Sequence, residues 1–250
     1  MKKGIRYKKP PLVEALCEFR FQKTITVPNI VLGRFYERIE KDFPTVETHK
    51  GIGVQAGKEN LSPAIFVEER TRFVNGDGTR LIQVGEGLLV ANQLKPYKDY
   101  VSFRAFTKKV VDTYHEVAKP EGLQSIGLRY INRFDMKPEA PLDEVFNIGF
   151  IVPSTFQNLP DPFLLRMEFT YTSGRDRLIV ILATTQAQEN SSKAIMLDFD
   201  YRLVKPDEIN NNLLEWMDEA HEKIEDAFHA CLKESTFVSF EVENTCQGII

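Results

Sequence analysis

The sequence predicts an α+β protein of mainly antiparallel strands, with long helices packed on the sheets. Alternation of apolar and charged residues at period two recurs in many short segments, whereas three stretches repeat their apolar residues at helical spacing. The strands also come in runs joined by turn residues, and a parallel α/β fold would instead need a crossover after nearly every strand. Residues 1–122 and 123–250 each show strands and then a helix. Two sheet-and-helix lobes in one compact unit are expected, with a soft boundary at Glu121-Gly122.

After Pro10-Pro11, Val13, Ala15, Cys17, Phe19 and Phe21 alternate with Glu14, Glu18 and Arg20, which is a strand with one apolar and one charged side. Pro28-Asn29 opens a helix marked by Leu32, Phe35, Tyr36, Ile39 and Phe43 and closed by Pro44. From Ala64 to Leu94, Asn75-Gly76-Asp77-Gly78 and Gly85-Glu86-Gly87 divide β-rich text into three short strands. A second helix follows Pro96 on the stripe Phe103, Phe106, Val110, Val111, Tyr114 and Val117. The first half therefore reads β-α-β-β-β-α.

The second half opens with a strand from Gln124 to Met136. A Pro-rich connection from Pro138 to Pro162 follows, with a short helix near Leu142 to Phe146. Strands are expected at Phe163 to Thr172, Arg177 to Thr185 and Lys193 to Leu203, separated by Ser173-Gly174-Arg175-Asp176 and by the polar run Gln186 to Ser192. The last helix, about Asn211 to Leu232, carries Leu213, Leu214, Met217, Ala220, Ile224 and Phe228 on one side. Trp216 reads as a rim residue, and a final strand is expected from Thr236 to Val242.

The 250 residues carry 32 Lys+Arg against 36 Asp+Glu, a net charge of −4, so binding of nucleic acid through bulk positive charge is not favoured. Cys17, Cys231 and Cys246 have neither disulfide nor zinc spacing, which reads as reduced thiols in a cytoplasmic protein. No run approaches a membrane span, and Glu14 and Glu18 interrupt any signal-peptide core after the basic start. Nucleophile-elbow and phosphate-loop motifs are absent. His221 lies on the apolar stripe of the last helix and reads as a hydrogen-bonded core histidine.

Four stretches carry a family resemblance. They are Tyr7 to Phe21 with its Pro10-Pro11-Leu12-Val13-Glu14 segment, Asn92-Gln93-Leu94-Lys95-Pro96-Tyr97, Gly127-Leu128-Arg129-Tyr130-Ile131-Asn132-Arg133, and Ala220-His221-Glu222-Lys223-Ile224 with Phe228. In that order they resemble a sporadically distributed prokaryotic family, a domain of unknown function of about this length. Lys9 departs from the Asn expected before the two prolines. The resemblance implies no activity. The family's patchy occurrence is similar to that of mobile, defence-related genes.

Charged residues gather on single parities of several strands: Glu14, Glu18 and Arg20; Glu68, Arg70 and Arg72; Arg129 and Arg133; Arg166 and Glu168; Asp198 and Asp200. The leading expectation is a non-catalytic binding or regulatory protein without a cofactor, in which Arg129, Arg133, Arg166 and Glu168 form a face that holds an anionic small molecule or a protein partner. The alternative is a phosphohydrolase or nucleotidyl enzyme in which Glu168, Asp198 and Asp200 hold Mg or Mn. A solvated face of cross-strand ion pairs accounts for the same pattern. A homodimer is expected, built on a sheet edge such as Lys193 to Leu203 or Thr236 to Val242, or on the last helix around Trp216.

Overall fold

The computed structural model describes residues 7–22, 29–56, 63–137, 140–156, 161–186, 193–209 and 212–242. Cys246 and most of the polar run before Lys193 lie outside them. Alternating residues and turn signals give the strands β1 (Leu12–Phe21), β2 (Thr45–Ala56), β3 (Pro63–Val74), β4 (Arg80–Gly85) and β5 (Leu88–Leu94). The second half supplies β6 (Leu123–Met136), β7 (Leu164–Tyr171), β8 (Asp176–Thr185) and β9 (Lys193–Leu203). All nine belong to one antiparallel sheet in the order β2-β3-β4-β5-β1-β6-β9-β8-β7. Because β1 pairs with β5 on one side and β6 on the other, the strands of the two halves form a continuous sheet.

The helices α1 (Asn29–Ile39), α2 (Tyr100–Ala118), α3 (Leu213–Cys231) and α4 (Glu234–Val238) complete the fold. Their ends follow local chemistry. Asp99 caps α2 by accepting the Ser102 N–H at 2.7 Å, Lys119 ends it in the left-handed region ahead of Pro120, and Asn212 caps α3 through the Glu215 N–H. Between β3 and β4, Gly78 takes φ +72, which the absence of a β-carbon leaves unstrained, and Asp77 accepts the N–H and hydroxyl of Thr79, so the expected turn forms.

The apolar parities lie under the helices. Phe35 and Tyr36 of α1 meet Phe73 of β3, Tyr114 of α2 stacks on Phe21 of β1, and Phe228 of α3 meets Phe199 of β9. Cys17 is fully buried there, and burial pushes both its thiol and that of Cys231 up, the latter to about 11. None of the helices in the described residues is long and apolar enough to cross a membrane.

Four expectations are corrected. β2 adds a fifth strand to the first half: Val46, Ile52, Val54 and Ala56 share one parity and Glu47, His49 and Gln55 the other, an alternation interrupted by Lys50 and by the glycines Gly51 and Gly53. Thr236 to Val242 holds the end of the short helix α4 and a single bridge from Val242 to Tyr7, not a strand. β9 is interior, flanked by β6 and β8, and the sheet edges are β2 and β7. Trp216 is 2% exposed and is not a rim residue: its indole N–H donates to Asp176 Oδ1 at 2.9 Å, while Arg175 Nε holds Asp176 Oδ2 at 2.7 Å.

Asp176 is fully buried, so its charge is tolerated only with those two donors in place. Asp176→Ala is expected to cost about 3 kcal/mol, because it leaves the buried indole N–H without its acceptor and Arg175 with Glu219 alone, at 2.7 Å. Urea unfolding followed by fluorescence of Trp216, the single tryptophan, measures this; a loss under about 1 kcal/mol would contradict it.

Candidate functional site

Strand periodicity builds a second, charged face. Where Ala15, Cys17, Phe19 and Phe21 of β1 turn to the helices, Glu14, Leu16, Glu18 and Arg20 turn away from them. The register continues that face across the sheet: Leu16 lies opposite Arg129 and Arg129 opposite Asp200, while Glu18 lies opposite Gly127 and Gly127 opposite Arg202. On the far side, Asp200 faces Ile179 and Ile179 faces Glu168.

These charges pair with one another. Arg129 forks onto Asp198, with Nε 2.9 Å from Oδ1 and a terminal amino group 2.6 Å from Oδ2. Arg202 Nε donates to Asp200 Oδ2 at 2.7 Å and its terminal nitrogen lies 3.4 Å from Glu18, which also accepts from Arg20 Nε at 2.9 Å. Gly127 leaves room beside the Arg202–Asp200 pair: a β-carbon there would crowd Asp200 Oδ1 at 3.3 Å while meeting Arg202 Cγ at an ordinary 3.6 Å. Asn92 of β5 extends the network by donating to Glu14 at 2.6 Å and accepting from Gln83 at 3.0 Å.

Burial sets the electrostatics. Asp198 is 1% exposed and Asp200 8%. Burial pushes the Asp200 carboxyl above the usual carboxylate range, against the pull of Arg202 and Arg129, and its Oδ1 has no hydrogen-bond partner among the described residues. For Glu18, burial acts upward too, but Arg20 and Arg202 outweigh it and hold the carboxyl low.

The sequence-predicted residues share this face without meeting at one point. Arg129 belongs to Asp198, and Arg133 donates to Asp135 at 2.8 Å. Arg166 donates to Glu168 at 2.9 Å, and Arg177 reaches the other oxygen of the same carboxylate at 2.9 Å. The hydrogen bond from Arg166 is the main reason the Glu168 carboxyl sits low. β9 and β8 separate Arg129 on β6 from Arg166 on β7, three strand spacings or roughly 14 Å, too far to clamp one small anion together. Glu168 is likewise two strands from Asp198 and Asp200, and among the described residues no three His, Cys, Asp or Glu side chains are grouped to hold a metal ion. The side chain of Glu68 lies outside the described residues; Arg72 lies 3.9 Å from Glu47.

Sequence reasoning missed Arg202, Gly127 and Asn92 as members of the network. Arg202 is two residues from Asp200, so parity alone could have found it; Gly127 has no parity signal because it has no side chain. His221 is the hydrogen-bonded core histidine expected: Nδ1 lies 2.9 Å from the Tyr130 hydroxyl, the Tyr100 ring stacks 3.7 Å away, and burial lowers its pKa. The four stretches noted in the sequence meet in space on adjacent β5, β1 and β6, and on α3 where His221 touches Tyr130. Compared with known proteins, the chain matches no family model and no curated protein.

Two neighbouring aspartates should therefore answer differently to substitution. Asp198→Ala strips Arg129 of its fork and is expected to cost about 3 kcal/mol, whereas Asp200→Asn should stay within about 1 kcal/mol of the parent at neutral pH. A carboxyl whose folded pKa is raised stabilises fully below its unfolded value of about 3.9 and loses that contribution as pH rises through the folded value. The parent should gain on Asp200→Asn as the pH falls from 7 towards 4, measured by denaturant unfolding at each pH. A constant difference would contradict the assignment.

Proposed function

We propose that this chain is a non-catalytic binding protein whose charged sheet face docks a protein partner. The observation that carries the reading is the make-up of that face. Apart from His49 on the edge strand β2, every basic side chain on it, among the described residues, is an arginine, and half-buried aliphatic side chains (Leu16, Ile131, Ile179, Ile181 and Met196) stand between the charges. Protein interfaces enrich Arg and Met and deplete Lys, and the planar guanidinium gives up less on desolvation than an ammonium. Arginines already paired to carboxylates offer a compact anion little free charge. They match a partner surface that carries its own mosaic of both signs. The metal-dependent alternative draws no support from Glu168, Asp198 and Asp200, each of which is committed to an arginine.

A photo-crosslinking residue at Ile179, in the middle of the face, is expected to give one discrete protein adduct in cells, and the same residue at Val101, exposed on α2, none. Equal labelling from both positions, or from neither, would overturn the reading.

Homodimerisation is a second reading, supported by the edge strand β7, where Leu164 and Phe169 are exposed beside a row of backbone groups available for pairing. Analytical ultracentrifugation at micromolar concentration should give twice the chain mass, reduced to the chain mass by Phe169→Lys. A parent that sediments as a monomer would contradict it.

A further inference from the structure

On the helix side of the sheet, a cavity of about 590 Å³ opens between α1, α2 and the start of β4. Its walls are largely apolar, formed by Ile39, Phe43, Ile82, Phe106 and Val110, with the Phe43 and Phe106 rings stacked 5.9 Å apart. Two cations, Arg80 and Lys109, lie in this wall. Arg80 is half-buried, with its guanidinium carbon 4.9 Å from the centre of the Phe106 ring. Lys109, the other basic residue of the lining, is matched by Asp42 at 2.6 Å.

Arg80 differs from the arginines of the opposite face. No carboxylate lies within ion-pair distance of it among the described residues, and its single side-chain hydrogen bond is from Nε to Gln93 Oε1, at 2.6 Å. Gln93 is buried and in turn anchored by donating to the carbonyls of Thr79 and Leu94. The amide therefore fixes the plane of the guanidinium and leaves both terminal amino groups uncommitted. Cation–π attraction to Phe106 holds the guanidinium against the wall, and the two terminal amino groups, unlike Arg70 Nε and Arg72 Nε, are accessible from outside. This also gives a role to Gln93 in the Asn92-to-Tyr97 stretch, which the charged face does not use.

We propose that this cavity binds a small apolar carboxylate, an acyl or aryl body with one terminal anionic group. The carboxylate takes the free fork of Arg80, and the body lies against Phe43, Phe106 and Val110. The volume falls in the range of ligand pockets of roughly 300–1,000 Å³, with the usual balance of an apolar wall and one orienting charge. A bidentate guanidinium–carboxylate pair in such a site supplies both strength and direction. The site is independent of the docking face.

Calorimetric titration of the full chain with decanoate and naphthoate, each beside its neutral alcohol, tests this. The acids are expected to bind about tenfold or more tighter than the alcohols. Arg80→Met should erase that preference while leaving alcohol binding in place, and Ala105→Trp, at an exposed lining position, should block acid and alcohol alike. If Arg80→Met fails to fold, the acid-against-alcohol comparison on the parent decides alone. No binding of either acid, equal affinity for acid and alcohol, or an Arg80→Met protein that still prefers the acid would overturn the proposal.

Discussion

The fork of Arg129 onto Asp198 is the interaction on which the charged half of this structure depends. It crosses from β6 to β9, the pairing that joins the β2-to-β6 part of the sheet to the last three strands. Asp198 is nearly inaccessible, so its charge is tolerable only while the guanidinium is there. A nine-stranded sheet with helices on one face must shield its other face by different means. Here long arginine stems do so, one lying over the gap at Gly127, with their heads tied to carboxylates on neighbouring strands. The face is a closed layer of paired charges with aliphatic side chains set between them.

The parities of β1, β6 and β9 were readable because one apolar face under helices imposes strict alternation, and so were the helices, whose stripes and caps are local. The order in which the strands assemble was not. Nothing local places β9 between β6 and β8, so Lys193 to Leu203 read equally well as an edge, and the partners of Arg129 and Arg166 stayed open. β2 is weakly marked because Lys50, Gly51 and Gly53 interrupt an otherwise alternating pattern; it is held by pairing along β3. Trp216 misled for a related reason. Its polar handle looked suited to a rim, and only the fold shows Asp176 waiting for it in the interior.

Unequal treatment of arginines on the two sides of the sheet gives the molecule two kinds of surface. On the charged side, Arg129, Arg133, Arg166, Arg177 and Arg202 all meet carboxylates. On the helix side, Arg80 meets an amide and an aromatic ring but no carboxylate. The contrast follows from register. Arg80 lies opposite Gln93 on β5, whereas Arg129 lies opposite Asp200 and one parity step from Asp198.

The claim that the charged face is a closed layer, not an open anion or cation site, is tested most directly by nitrogen-15 NMR of the arginine side chains during titration with inorganic phosphate and then with Mg2+. The Nε–H signals of Arg129 and Arg202 should be slow to exchange with water and should stay in place through both titrations, since each proton is already held by a buried carboxylate. A saturable shift of either signal with phosphate, or its release into fast exchange when the metal is added, would contradict the account.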